Sequence, residues 1–112
     1  MIEIPIETNG GAYTTLSCNV GENSVSMRLL WNERDAHWYC DFESSDGKNN
    51  GVRLVENSLL LRNDNRVSPG GDFVILKQET SSDLKLGFDS LGNVFKMYFL
   101  NSEDLQIFKG LL

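Results

Sequence analysis

The chain has 112 residues, enough for one domain (1–112) with a core of its own, and 40% of them are hydrophobic, well above the range of disordered chains. A net charge of −6 and ten scattered Lys and Arg residues argue against a basic nucleic-acid surface that displaces counterions. No apolar run is long enough to cross a bilayer, and the acidic start MIEIPIETNGG lacks the basic-then-apolar order of a secretory signal. The expectation is therefore a cytosolically made chain that is not processed.

In chain order, Ile2–Glu7 predicts a first strand with Ile2, Ile4 and Ile6 on one face. Pro5 has no backbone donor and sends that strand to a sheet edge. TNGGA is a turn. Tyr13–Val20 predicts a second strand with Thr14, Leu16, Cys18 and Val20 inward and Tyr13, Thr15 and Ser17 outward. After a turn at Gly21-Glu22-Asn23, Ser24–Trp31 alternates again, with Val25, Met27, Leu29 and Trp31 on its apolar face. Asn32–Ala36 is a tight charged loop, and His37–Glu43 returns antiparallel with Trp38, Cys40 and Phe42 inward.

Asp46-Gly47 predicts a type I′ hairpin, whose central residues take positive φ. A strand at about Gly51–Val55 and a short apolar run at Leu59–Leu61 follow, then the polar loop RNDNRVS and a type II turn at Pro69-Gly70. Phe73–Lys77 is another strand, and KQETSSD reads as a surface loop. Lys85–Gly87 and Asn93–Leu100, separated by DSLGN, complete the strands. Only the tail reads as helical: Asn101 or Ser102 caps a short turn over Glu103–Phe108. Many short strands with almost no helix predict an all-β fold, a small antiparallel barrel or a two-sheet sandwich joined by hairpins.

The chemistry-bearing residues read as structural. His37 is the single histidine and flanks a tryptophan at a hairpin start, which is no setting for a nucleophilic triad. Asp35, Asp41, Glu43 and Asp46 crowd one hairpin, but DFESSDG lacks the alternating oxygen ligands of a calcium loop, and a solvated strand face explains them. Cys18 and Cys40 lack a second Cys or His at zinc-ligand spacing and are expected to be reduced and packed. The glycine pairs lack a phosphate-loop pattern. No catalytic, metal-binding or cofactor-binding residue is predicted. Trp31 and Trp38 read as core. Asn32, Arg34, Trp38, Asp46 and Gly47 are the residues expected to shape the central hairpins. The tail LQIFKGLL is apolar where chain ends are normally polar, so Ile107, Phe108, Leu111 and Leu112 either fold back in cis or dock on another subunit.

Leu29-Leu30-Trp31-Asn32, Arg34, Trp38, Asp46-Gly47, Gly51-Val52, Leu59-Leu60, Pro69-Gly70 and Met97-Tyr98 occur in an order and spacing that resembles a family of small phage proteins. That family is the baseplate plug of a simplified contractile-tailed cyanophage, also found in other phages and in prophages. The resemblance covers about residues 24–100, with Leu91-Gly92 in a more polar setting and Tyr39-Cys40 less aliphatic than the pattern. It implies a non-enzymatic virion component of the tail baseplate, assembled in the host cytoplasm. It also implies hub, spike or tube proteins as neighbours and a homo-oligomer in the assembly, a trimer among the arrangements considered. A small intracellular ligand-binding β-barrel, with Trp31, Trp38 and Tyr98 lining its pocket, is the alternative reading. An enzyme comes third.

Overall fold

The computed structural model describes residues 1–21, 23–62, 67, 71–78 and 85–111, with the backbone alone for Lys109 and Leu111. The elements run β1 (Ile2–Ile4), β2 (Tyr13–Val20), β3 (Asn23–Asn32), β4 (His37–Ser44), β5 (Gly47–Arg53), β6 (Asp72–Lys77), β7 (Phe95–Leu100) and α1 (Ser102–Leu111). They form two antiparallel sheets: a meander in the order β2-β3-β4-β5, and a three-stranded sheet in the order β1-β7-β6. Of the two architectures expected, this is the pair of packed sheets and not a closed barrel.

Alternation builds the larger sheet. Val25, Met27 and Leu29 of β3 and Trp38, Cys40 and Phe42 of β4 are buried on one face, while Ser24, Ser26 and Arg28 are exposed on the other. Across the core stand Phe73 and Ile75 of β6 and Phe95, Met97 and Phe99 of β7. Phe42 and Phe73 meet at a ring-centroid separation of 4.8 Å, and Phe73 meets Phe99 edge-on at 5.3 Å. Each such buried side chain stabilises the fold by about 1.5–3 kcal/mol. β6 is buried on both faces, because Val74 lies on the side away from this cluster, so it shows no alternation.

Several boundaries differ from the sequence reading. β1 stops at Ile4 because the chain folds sharply at Pro5, where Ile6 N–H donates to the Ile4 carbonyl (2.9 Å). β5 starts at Gly47, because Ser44 pairs with Gly47 and leaves Ser45-Asp46 as the two-residue turn. Neither turn residue has positive φ, so the type I′ expectation centred on Asp46-Gly47 is corrected. The Ser44 hydroxyl closes that turn by accepting from Asp46 N–H (3.1 Å) and donating to the Val67 carbonyl (2.7 Å).

Lys85–Gly87 is not a strand. Its backbone groups are taken by side chains: Leu86 N–H by Glu56 (3.4 Å), Gly87 N–H by the Ser90 hydroxyl (2.8 Å), and the Gly87 carbonyl by Trp38 Nε1–H (3.2 Å). The helix runs to Leu111, further than Phe108, and Asn101 caps it. Asn101 Oδ1 accepts Asp104 N–H (2.9 Å) while the Asp104 carboxylate faces Asn101 N–H (3.4 Å), a reciprocal capping box. The Pro69-Gly70 turn, positions 63–66 and 68 of the polar loop, and positions 79–83 of the KQETSSD stretch lie outside the described residues, as does Leu112.

Candidate interaction surface

The register of the large sheet brings Tyr13, Leu30, Tyr39 and Arg53 into one row across all four strands, on the face turned away from the core. Tyr13 is 59% exposed and Leu30 53%, large apolar groups in positions that alternation assigns to solvent. The neighbouring row is Thr15, Arg28 and Asp41. Asp41 Oδ1 accepts Gly51 N–H (2.6 Å), and its Oδ2 pairs with Arg28 (3.3 Å). That contact secures a β-bulge, where Asp41 alone opposes Asn50 and Gly51, and Gly51 takes a φ of +66°. Tyr13, Leu30 and Tyr39 of the first row and Arg28 and Asp41 of the second, with Asn32 and Gly51, line a shallow depression of about 320 Å³.

The β3–β4 loop closes one end of this face. Asn32 Oδ1 accepts the N–H groups of Arg34 (3.0 Å) and Asp35 (3.2 Å), an Asx-turn that spends one side chain on two loop donors. Within the loop, Ala36 takes the left-handed conformation (φ +55°). Asp35 then gathers three partners: the Tyr39 hydroxyl donates to it, Arg53 Nε lies 3.4 Å away and His37 Nδ1 3.6 Å away. The Tyr39 hydrogen bond, above all, holds the Asp35 carboxyl below its ordinary range, with Arg53 and His37 adding to it against the opposing effect of desolvation. The same bond pushes the Tyr39 phenol up. His37 Nδ1 lies 2.7 Å from the Asp35 carbonyl, so it is a locally bonded histidine. Arg34 gives its backbone to the turn, and its side chain is exposed.

Trp38 is fully buried. It stacks on Phe88 at 5.9 Å with planes 4° apart, and Trp31 packs edge-on against both at 5.6 and 5.5 Å. Phe88 thus occupies the ring face that a ligand would need. Tyr98 belongs to the other sheet, pairs with Val74 and bonds Gln78 Nε2 (3.3 Å), so the structure does not bring Trp31, Trp38 and Tyr98 around one pocket. Cys18 pairs with Val25 and Cys40 with Leu29, four residues apart along β3, and both thiols are free. Burial pushes both thiols up, with Asp41 adding to the shift of Cys40.

The C-terminal helix packs beside β7, and Met1 anchors its first turn through an ion pair from the chain's amino group to Asp104 (3.1 Å). Ile107 is 66% exposed, while Leu105 and Phe108 are half-buried. Leu111 is described by its backbone alone, and Leu112 lies outside the described residues. Sequence reasoning missed the Tyr13–Leu30–Tyr39 row, although an apolar Leu30 on a polar strand face was the signal for it. It also missed Asp72, a buried acid whose Oδ1 accepts Leu61 N–H (2.9 Å) and Phe73 N–H (2.6 Å) and so ties the segment before β6 to that strand.

Among the described residues no three His, Cys, Asp or Glu side chains gather as metal ligands, and no helix is long and apolar enough to cross a membrane. No curated protein matches the chain. A family model described as the cyanophage baseplate Pam3 plug gp18 matches residues 1–103. The match takes in both sheets, the aromatic cluster and the exposed row on the large sheet, so the chain belongs to the cyanophage baseplate plug family.

Proposed function

We propose that this protein is a non-enzymatic structural component of a contractile-tail baseplate, a plug or hub-associated subunit that works by protein–protein contacts. The family match over residues 1–103 carries the reading. The described residues supply surfaces suited to it: Trp31, Trp38 and Phe88 are committed to packing against one another, and Asp35 and Asp41 to local hydrogen bonds. In this reading the protein sits in the virion at the tail baseplate, after assembly in the host cytoplasm. Its neighbours are hub, spike or tube proteins and further copies of itself.

Two surfaces are assigned to those contacts. One is the row Tyr13, Leu30 and Tyr39, whose exposed apolar area is rimmed by Arg28, Asp41 and Arg53, the composition of an interface centre with a polar border. The other is the end of α1, with Ile107 and Phe108 and, beyond them, Leu111 and Leu112. Asn32, Arg34, Trp38, Asp46 and Gly47 hold the hairpins that present the first surface. The test is co-expression of the chain with the hub, spike and tube proteins of its own genome, followed by purification on one of them. The wild type is expected to co-purify. Leu30→Glu, or deletion of Gly110–Leu112, is expected to weaken co-purification while leaving the melting temperature near wild type. A chain that never co-purifies, or variants that bind as the wild type does, would count against these contacts.

A further inference from the structure

Four strand edges bound the two sheets, and three of them are protected. β1 is three residues long, ends at Pro5 and has Glu3 paired with Lys96 (3.6 Å). The free side of β6 is covered by the segment before it, with Asn57 and Leu60 donating to Ile75 and Phe73 (2.8 and 2.9 Å). β5 is bulged at Asn50-Gly51 and carries Lys48 and Arg53. Among the described residues β2 has none of these devices. Its eight residues YTTLSCNV contain no proline and no charge, and they pair with β3 in unbroken register from Tyr13↔Leu30 to Val20↔Asn23.

The phase of the ladder shows what that edge offers. Trp31 N–H donates to the Ala12 carbonyl (2.8 Å), so in the alternating antiparallel pattern Thr14, Leu16, Cys18 and Val20 bond toward β3. The N–H and C=O groups of Tyr13, Thr15, Ser17 and Asn19 point the other way. The chain leading into β2 touches it through a side chain, Thr14 Oγ1 to the Glu7 carbonyl (3.3 Å). On the inner face Thr14, Leu16 and Cys18 remain only half-buried, so the core cover is incomplete along this edge.

We propose that the free edge of β2 pairs antiparallel with the same edge of a second copy, joining two four-stranded sheets into one of eight strands. Charge selects this occupant. In a chain of net charge −6, most surfaces repel their own copies, whereas the β2 edge brings no charge to the two-fold axis. The geometry is self-complementary. With Leu16 on the axis, Tyr13 faces Asn19 of the second copy and Thr15 faces its Ser17, exchanging up to about eight backbone hydrogen bonds. The two half-buried Leu16 side chains then cover each other on the inner face. An edge-to-edge contact of this kind lies at the small end of interface sizes, so the dimer is weak and concentration-dependent. The inference stands apart from the baseplate reading, since it needs only the purified chain.

The test is sedimentation velocity of the full chain over a hundredfold range of loading concentration, under reducing conditions. The wild type is expected to move from monomer toward dimer as concentration rises. Thr15→Lys sets like charges across the axis, and Ser17→Pro removes an outward-facing donor that the monomer does not use. Each is expected to weaken the dimer at least tenfold while far-UV circular dichroism and melting stay near wild type; Thr15→Lys alone decides if the proline variant fails to fold. Val55→Ser, at an exposed apolar position just after β5, is expected to dimerise as the wild type does. A chain that stays monomeric throughout, or a dimer abolished by Val55→Ser and intact in Thr15→Lys, would overturn the proposal.

Discussion

Replacing Asn32 by Ala tests how the central hairpin is held. Asn32 pairs with His37 at the mouth of a four-residue loop, and its Oδ1 accepts the N–H groups of Arg34 and Asp35 at 3.0 and 3.2 Å. Both bonds are exposed, so water replaces them when the amide is gone, and each is worth the low end of the about 0.5–1.5 kcal/mol of an intramolecular hydrogen bond. The loss is therefore about 1 kcal/mol. For a domain of this size the unfolding entropy is about 0.24 kcal/mol per kelvin, so melting should fall by about 4 °C. Asn32→Ser keeps an oxygen that accepts from the same donors, less well placed, and should lose about half as much. Differential scanning calorimetry reads both variants. An unchanged melting temperature in Asn32→Ala, or equal losses in the two variants, would refute the view that the side-chain oxygen organises the loop.

Other consequences follow from single contacts. Gly92 has a φ of +92°, and a Cβ there would overlap the Ile6 carbonyl oxygen, so Gly92→Ala should cost about 2–4 kcal/mol in urea unfolding. Gly10→Ala, at φ +76° with open space around it, should cost only the conformational strain of about 1 kcal/mol; equal losses would remove the steric argument. The Asp35 carboxyl is held low in the folded state, so its contribution is present above the unfolded value of about 4 and is lost as pH falls through the folded one. Asp35→Asn should flatten that acid limb of the urea midpoint, and a limb identical to wild type would show that Asp35 does not produce it. With both thiols pushed up by burial, Ellman's reagent at neutral pH should label Cys18 slowly and Cys40 not at all until denaturant exposes both. Fewer than two reactive thiols after unfolding without reductant would reveal a disulfide.

The parts of the fold visible in the sequence are those where one face of a strand is buried and the other wet. β3 and β4 satisfy that condition and β2 does so in weaker form, its inner face half-buried, and their inward residues can be read by counting every second position. β5 opens with Gly47, Lys48, Asn49 and Asn50, which carry no apolar signal, so the sequence pattern starts it four residues late. β6 is buried on both sides, and FVIL gives a strand without saying which side faces the large sheet. Leu86 is buried without belonging to a strand, because glutamate and serine side chains satisfy the backbone around it, and no periodicity reports such a bond.

The surface proposed for contacts was less legible for a related reason. Tyr13, Leu30 and Tyr39 come from three strands, and only the inter-strand register puts them in one row. Each alone is an ordinary outward-facing side chain, Tyr13 and Leu30 exposed and Tyr39 half-buried. The tail was legible as apolar, and the cap at Asn101 as one of two choices. The exposure of Ile107 depends on how α1 lies beside β7, which helical periodicity alone does not fix.

Quantitative mass spectrometry of purified tail particles from the source genome tests the baseplate assignment most directly. Peptides of this chain at a fixed ratio of a few copies per particle, co-sedimenting with the baseplate, are the predicted result. Intact, infectious particles that contain none of it would contradict the assignment and leave a free subunit or a transient assembly factor in its place.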